Sequence, residues 1–255
     1  MSDINASIHD YIADPTASGD VRGRGLVSFL LNHVRELSSS GKVEWSDNLD
    51  NTLLTFSGQS NIGLSVCYNS SNVYIRLACR HENSEKAKYW GQCGASSYQY
   101  TINLSSNNLG YRLISRSVGN LTCHSICTIN QNGSTGDTLC TFMSFSIVDH
   151  LTSESIEALY IQGTFFGYSD YVKDGSPLDV SSVGGDKYPD GEHIVVAPVI
   201  FGAKDYQIYG YAESPTTLYR IYAGNQLMSV GLSAPVKING IKFQQIIKGY
   251  FVRLG

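Results

Sequence analysis

Two rhythms of apolar residues divide the chain. Near the N-terminus the spacing is helical. Ile4, Ile8, Tyr11 and Ile12 recur at intervals of three and four, with Ser2 or Asp3 placed to cap and Asp14-Pro15 placed to stop. The rhythm is cleaner over Leu26, Phe29, Leu30, His33, Val34 and Leu37, which form one apolar stripe. Ser38-Ser39-Ser40-Gly41 ends it. The stretch between, TASGDVRGRG (16–25), reads as a Gly-rich turn. The pattern therefore predicts two helices within residues 1–41. The second is expected to pack its stripe on a sheet, with His33 as a core histidine.

From Lys42 onward the period changes to two. Thr52 to Ser57, Gly63 to Tyr68 and Val73 to Cys79 are expected strands separated by Asn/Ser/Gly turns. Within VYIRLAC, Val73, Ile75, Leu77 and Cys79 alternate with Tyr74, Arg76 and Ala78, giving one buried and one exposed face. Arg80 to Lys88 is a charged loop. Further strands are expected over Tyr98 to Leu104, Tyr111 to Arg116 and Thr122 to Asn130, followed by a turn at Gln131 to Gly136. Thr138 to Tyr171 is the longest apolar run. It falls into two blocks, Leu139 to Val148 and Ile156 to Tyr168, rich in β-branched and aromatic residues. They are expected as adjacent antiparallel strands at the centre of the sheet, beneath the Leu26 to Leu37 helix. Gly163 and Gly167 are expected at a bulge or close approach.

Asp170 to Glu192 reads as a long Gly/Asp/Pro/Ser loop, of the length usual for an interaction loop. The C-terminal part holds HIVVAPVIF, YQIYGY and TLYRIYA. It closes with a hairpin, in which Asn239-Gly240 joins two alternating arms and suits the positive φ values of a type I′ turn. The expected fold is mainly β (α+β), an antiparallel sheet or sandwich with two N-terminal helices, one packed on the sheet, and a C-terminal β-module. The expected parts are 1–41 (helices), 42–172 (main β domain), 173–192 (loop) and 193–255 (C-terminal β segment).

Composition narrows the function classes. Charged residues are 16% of the 255-residue chain, below the ~25% of an ordinary globular protein, and there are 17 Tyr. Such a surface suits a protein partly covered by neighbours. The net charge of −4 and the lack of a basic tract argue against nucleic-acid binding through phosphates. The N-terminus has neither the basic nor the apolar region of a secretory signal, and no run reaches the ~18 apolar residues of a membrane span. Folding in a reducing cytosol is expected, with Cys67, Cys79, Cys93, Cys123, Cys127 and Cys140 as thiols. The sequons at Asn69 and Asn120 then carry no meaning.

Candidate chemistry is sparse. Cys123-His124-x-x-Cys127 is the best metal candidate, yet a tetrahedral zinc site needs a second ligand pair, and on a strand His124 points away from the two cysteines. Buried thiols are the expected reading, and no metal or cofactor is assigned. No nucleophile elbow, zinc-protease helix motif or phosphate loop occurs. Gly23-Arg24-Gly25 lacks the preceding strand of a dinucleotide fingerprint. The carboxylate pairs Asp47/Asp50, Glu154/Glu157 and Asp186/Asp190 sit in polar turns, where solvation is the expected role. A hydrolase on a β-sandwich is therefore the weakest reading. The aspartates of the 170–192 loop lack the spacing of a calcium loop. The C-terminal tyrosines suit a protein interface or, as an alternative, a carbohydrate- or receptor-binding face.

The strand block, the spacer at Ser153-Glu154-Ser155, IEALYIQGTFFGYSDY and the following Gly184-Gly185 segment resemble neck and tail structural proteins of tailed bacteriophages, of the tail-terminator or tail-completion type. The two short helices ahead of the sheet, with LVSFLLNHVREL as the packing helix, fit that resemblance, which covers residues 1 to 200. It implies a non-enzymatic virion protein, assembled in the host cytoplasm as a homo-oligomeric ring, sixfold at a tail end, against tail tube, sheath or head connector. It implies no catalytic residue. The contacts are expected at Asp170, Tyr171, Val172, Gly184, Gly185 and Tyr188, and at Tyr209, Tyr211 and Tyr222.

Overall fold

The computed structural model describes residues 5–14, 16–81, 89–92, 99–102, 108–119, 121–149, 151–169, 171–178, 194–202, 208–212, 218–223, 226–229 and 235–254. The chain begins with strand β1 (Asn5–Ile12), helix α1 (Gly19–His33) and β2 (Leu37–Ser39). Next come β3 (Asp50–Phe56), β4 (Ile62–Tyr68), β5 (Val73–His81), β6 (Tyr89–Gln92) and β7 (Gln99–Ile102). Then follow β8 (Asn108–Val118), β9 (Leu121–Asn130), β10 (Thr135–Asp149), β11 (Ser155–Ile161), β12 (Thr164–Ser169) and β13 (Tyr171–Leu178). The C-terminal part has β14 (Ile194–Pro198), β15 (Ile200–Gly202), β16 (Ile208–Ala212), β17 (Leu218–Ala223) and β18 (Gln226–Leu227). It ends with β19 (Val236–Ile238), β20 (Ile241–Ile247) and β21 (Tyr250–Arg253). Among the described residues the protein is mainly β with a single helix, and the strands pair antiparallel.

Three sheets form. The largest runs β1-β8-β9-β10-β11-β12-β13-β15-β16, and β16 pairs back onto β10. That return closes six strands, β10 to β13 with β15 and β16, into a barrel. β10 manages two neighbours on one edge because it is long: Thr135 to Phe142 pairs with β9, and Ile147 to Asp149 pairs with β16. The rings of Phe145, Phe165 and Phe201 come from β10, β12 and β15, and their centroids meet at 5.2 to 5.7 Å. Rings on strands that are not neighbours meet only inside the closed circuit. The second sheet is β2-β3-β4-β5-β6, with β7 also on β5. The third is β14-β17-β21-β20-β19, with β18 on β17.

The main core lies between the first two sheets. Phe142, Leu159, Ile161 and Phe166 on the outer barrel face meet Leu54, Leu64, Val66 and Ile75 of the second sheet and Leu26, Phe29 and Leu30 of α1. A second core joins the barrel interior to the third sheet through Leu218, Ile246, Tyr250 and Val252. The helix packs chiefly on β4 and β5 and touches β1. It therefore borders the strands of the central run across a shared core rather than lying directly on them.

Four expectations are corrected. Residues 5–12 are a strand, paired in register from Asn5 with Ser117 to Ile12 with Gly110. The pair Ile8 and Ile12, four apart, shares a face in a strand as well as in a helix, so it could not separate the two. Residues 19–25 are helix rather than turn, with Ser18 as N-cap accepting from the Val21 N–H. Their glycines serve close packing: a Cβ on Gly23 would collide with the Tyr68 ring, and one on Gly25 with the Tyr11 hydroxyl. The helix ends at His33, and Leu37–Ser39 is a strand on β3. The block 156–168 is a hairpin, turned by Gln162 (φ 43°) and Gly163 (φ 93°), so Gly163 is a turn residue and not a bulge. The hairpin at Asn239-Gly240 forms with φ 48° and 84°, as a type I′ turn requires.

Candidate functional site

The expected contact residues separate into four groups. Asp170, Gly184, Gly185 and Tyr188 lie outside the described residues. Tyr171 and Val172 are not in a loop but in β13, opposite Ser169 and Tyr168 of β12. Residues 171–178 of the supposed 170–192 loop are thus a barrel strand, and β13 supplies the edge on which β15 pairs. Tyr209 and Tyr211 lie in β16, where Tyr211 faces Ile200 of β15 across one edge and Val148 of β10 across the other. Tyr222 is buried at 3% exposure in β17, which removes it from the surface as a contact residue.

The cysteines also differ from expectation. Cys79 is disulfide-bonded, so the six are not all thiols. Cys67, Cys123, Cys127 and Cys140 are free and buried. Burial pushes the Cys67 thiol up to about 11 and that of Cys123 up to about 12, which leaves both protonated and poorly nucleophilic at neutral pH. Among the described residues, no group of three or more His, Cys, Asp or Glu is placed to hold a metal ion. No described helix is long and apolar enough to cross a membrane.

One feature that neither rhythm nor motif revealed is the outer edge of β1. Among the described residues this strand pairs with β8 alone, which makes it the terminal strand of the largest sheet. His9 and Tyr11 point to α1: the His9 ring stacks on His33 with centroids 4.0 Å apart, and Tyr11 meets Phe29 at 5.6 Å. The opposite face carries Ile8 and Ile12, exposed at 59% and 64%. Between them Asp10 accepts two hydrogen bonds from the Arg112 guanidinium, at 2.7 and 2.8 Å. Arg112 holds the Asp10 carboxyl below its ordinary value. An eight-residue edge with two exposed isoleucines lacks the usual protections of a lysine, a proline or a bulge at its centre.

A second feature is a small polar cavity where the β3–β4 turn meets β9 and β10. It has a volume of about 190 Å³ and is lined by Glu36, Gln59, Thr122, His124, Ser144 and Ser146, among others. The imidazole of His124 is buried between Phe142, 5.2 Å away ring to ring, and the Ser115 hydroxyl, 2.7 Å from Nδ1. Its Nε2 lies 3.7 Å from Glu36 Oε2, beyond ordinary hydrogen-bond length. His124 is the main cause holding the Glu36 carboxyl below its ordinary value, with burial opposing and the Thr122 hydroxyl assisting. Serine, histidine and glutamate in contact have the membership of an acyl-transfer triad. Ser115, however, is buried and is not part of the cavity wall, so its hydroxyl orients the ring and meets no substrate.

The same turn is fastened to the barrel from outside. Glu157 on β11 accepts from the Ser60 hydroxyl at 2.7 Å and from the Asn61 N–H at 2.7 Å. This pairs a carboxylate that looked solvated in the sequence with the backbone of a distant turn. A wider, open cleft of about 730 Å³ runs along the 42–51 loop, beside Trp45 and the Lys42–Asp50 ion pair. No family model, no curated protein and no solved structure matches the chain.

Proposed function

We propose that the chain is a non-enzymatic structural protein of a tailed-phage virion, which assembles as a homo-oligomeric ring in the neck or tail and joins neighbouring tail or head–tail components. The observation that carries the assembly half is the open outer edge of β1 with Ile8 and Ile12 exposed on it. An edge of that length with apolar side chains is a ready template for a strand from another molecule, or for a face that buries it. The virion half rests on the resemblance of the central run to tail-terminator and tail-completion proteins. The low charge fraction fits both, because a subunit covered by neighbours needs few solubilising charges. Its partners would be copies of itself and tail tube, sheath or connector proteins, and its place would be the virion.

The test is sedimentation and electron microscopy of the purified chain and of particles containing it. The reading expects closed rings, and expects the chain to co-sediment with particles. A chain that stays monomeric at all concentrations and never travels with particles sinks it.

A further inference from the structure

The polar cavity beneath the β3–β4 turn plays no part in the assembly reading, and a role for it stands independently of that reading. At about 190 Å³ the cavity has room for roughly six waters at ~30 Å³ each. It is smaller than the ~300 Å³ at which sites for drug-sized ligands begin. A single sugar ring or a shorter polyol is the right scale.

The polar atoms of the wall lean towards accepting. Gln59 donates through Nε2 to the Phe145 carbonyl oxygen at 2.9 Å. That bond decides the orientation of the amide, because only the NH₂ end can serve a carbonyl. It leaves Gln59 Oε1 buried and without a hydrogen-bond partner among the described residues. Glu36, held ionised beside His124, is a second acceptor. No described residue lining the cavity is Lys or Arg, so an anionic ligand would meet the Glu36 carboxylate with no lysine or arginine of the wall to balance it. Ser57, Ser144 and Ser146 both donate and accept. An ammonium ion offers only donors and would leave the serine protons unmatched, whereas hydroxyl groups do both.

We propose that this cavity binds a neutral, hydroxyl-rich molecule of monosaccharide size, with hydroxyls donating to the Glu36 carboxylate and exchanging hydrogen bonds with Ser144 and Ser146. His124 is a positioning residue that fixes the Glu36 carboxylate at the wall.

The experiment is titration of the full-length chain with glucose, galactose, mannose, N-acetylglucosamine and glycerol, followed by calorimetry and by chemical-shift changes. Methylamine and inorganic phosphate serve as the cationic and anionic comparators. The expected result is saturable binding of at least one of the polyols with a dissociation constant of about 1 mM or tighter. Glu36→Gln should weaken it by about tenfold or more. Ser144→Leu, which fills the cavity from a half-buried strand position, should abolish binding while the circular dichroism spectrum is unchanged, and it decides the matter where the other variant fails to fold. Binding of none of the five polyols, tighter binding of methylamine or phosphate, or polyol binding that survives Ser144→Leu overturns the proposal. The ring assembly is read separately by sedimentation, so either result can fail without the other.

Discussion

The nine-stranded sheet ends in two different ways. At one end β16 returns to β10 and the last six strands close into a barrel, so no edge remains. At the other end β1 pairs with β8 and its second edge has no described strand beside it. The closed end is filled with aromatic rings. Phe145, Phe165 and Phe201 meet one another, and Tyr250 of the third sheet lies 5.1 Å from Phe165. The open end has a thin outer face, with Ile8 and Ile12 in solvent and one ion pair between them. The closed end pairs its strands with one another around the circuit. Among the described residues the open end still has a row of donors and acceptors for another molecule, and this difference is the reason to look for assembly at β1 and for stability in the barrel.

The largest expected effect comes from the closed end. Phe165→Ala removes a fully buried ring that touches four others, Phe145, Tyr160, Phe201 and Tyr250. It should lower unfolding stability by about 3–5 kcal/mol in a urea titration. Next is the turn of the β11–β12 hairpin. Gly163 has φ 93° with open space where a Cβ would go, so Gly163→Ala strains the backbone without a clash. A loss of about 1–2 kcal/mol is expected by the same measurement.

Ile8→Lys combined with Ile12→Lys should change stability by no more than about 0.5 kcal/mol, because both side chains are already in solvent. Its effect should appear in the sedimentation coefficient, as rings dissociate into smaller species. If this double variant destabilises the chain as much as Phe165→Ala does, the β1 edge is not open and the contrast between the two ends fails.

The smallest effect concerns pH. Arg112 holds the folded Asp10 carboxyl below the ordinary value of 3.8, so the ion pair contributes stability that is present above that pH. The contribution is lost as pH falls through the depressed folded value. With the Asp10 side chain 39% exposed, the effect should stay below about 1 kcal/mol. Asp10→Asn should lower stability at neutral pH by up to that amount, leave it nearly unchanged below the depressed folded value, and so flatten the acid limb of the stability curve.

Several elements were legible along the chain and several were not. The strands at 62–68, 73–81 and 121–130 follow alternation or continuous β-branched runs, and Asn239-Gly240 identifies its own turn. The stripe Leu26, Phe29, Leu30, Val34 and Leu37 is buried as its spacing predicts, although the helix stops at His33 and Leu37 is reached by a strand. The first strand was not legible, since its isoleucines four apart suit either period. Nor was the start of α1, because glycines at 19, 23 and 25 look like a turn until Tyr11 and Tyr68 are seen packed against two of them. Of the candidate contacts, Tyr222 was misplaced because a strand tyrosine looks alike whether its ring faces solvent or a sheet. The Glu36–His124 cavity had no local signal at all: its walls come from a loop after α1, the β3–β4 turn and two strands, β9 and β10.

By itself the sequence determined the local matters. These are the dominance of strand, the positions of most strand segments, the helical stripe and the tight hairpin turn, each set by side-chain periodicity and by the φ angles that glycine and asparagine allow. The tertiary structure alone decided which strand edges meet. The return of β16 to β10 (Val148 with Tyr211), the meeting of Glu36 with His124 and the pairing of β1 with β8 (Asn5 with Ser117) join residues far apart in the chain, where no repeat encodes the distance. Pairing of that kind is selected by the burial it allows across the whole core, and burial is a property of the assembled sheets rather than of any one segment.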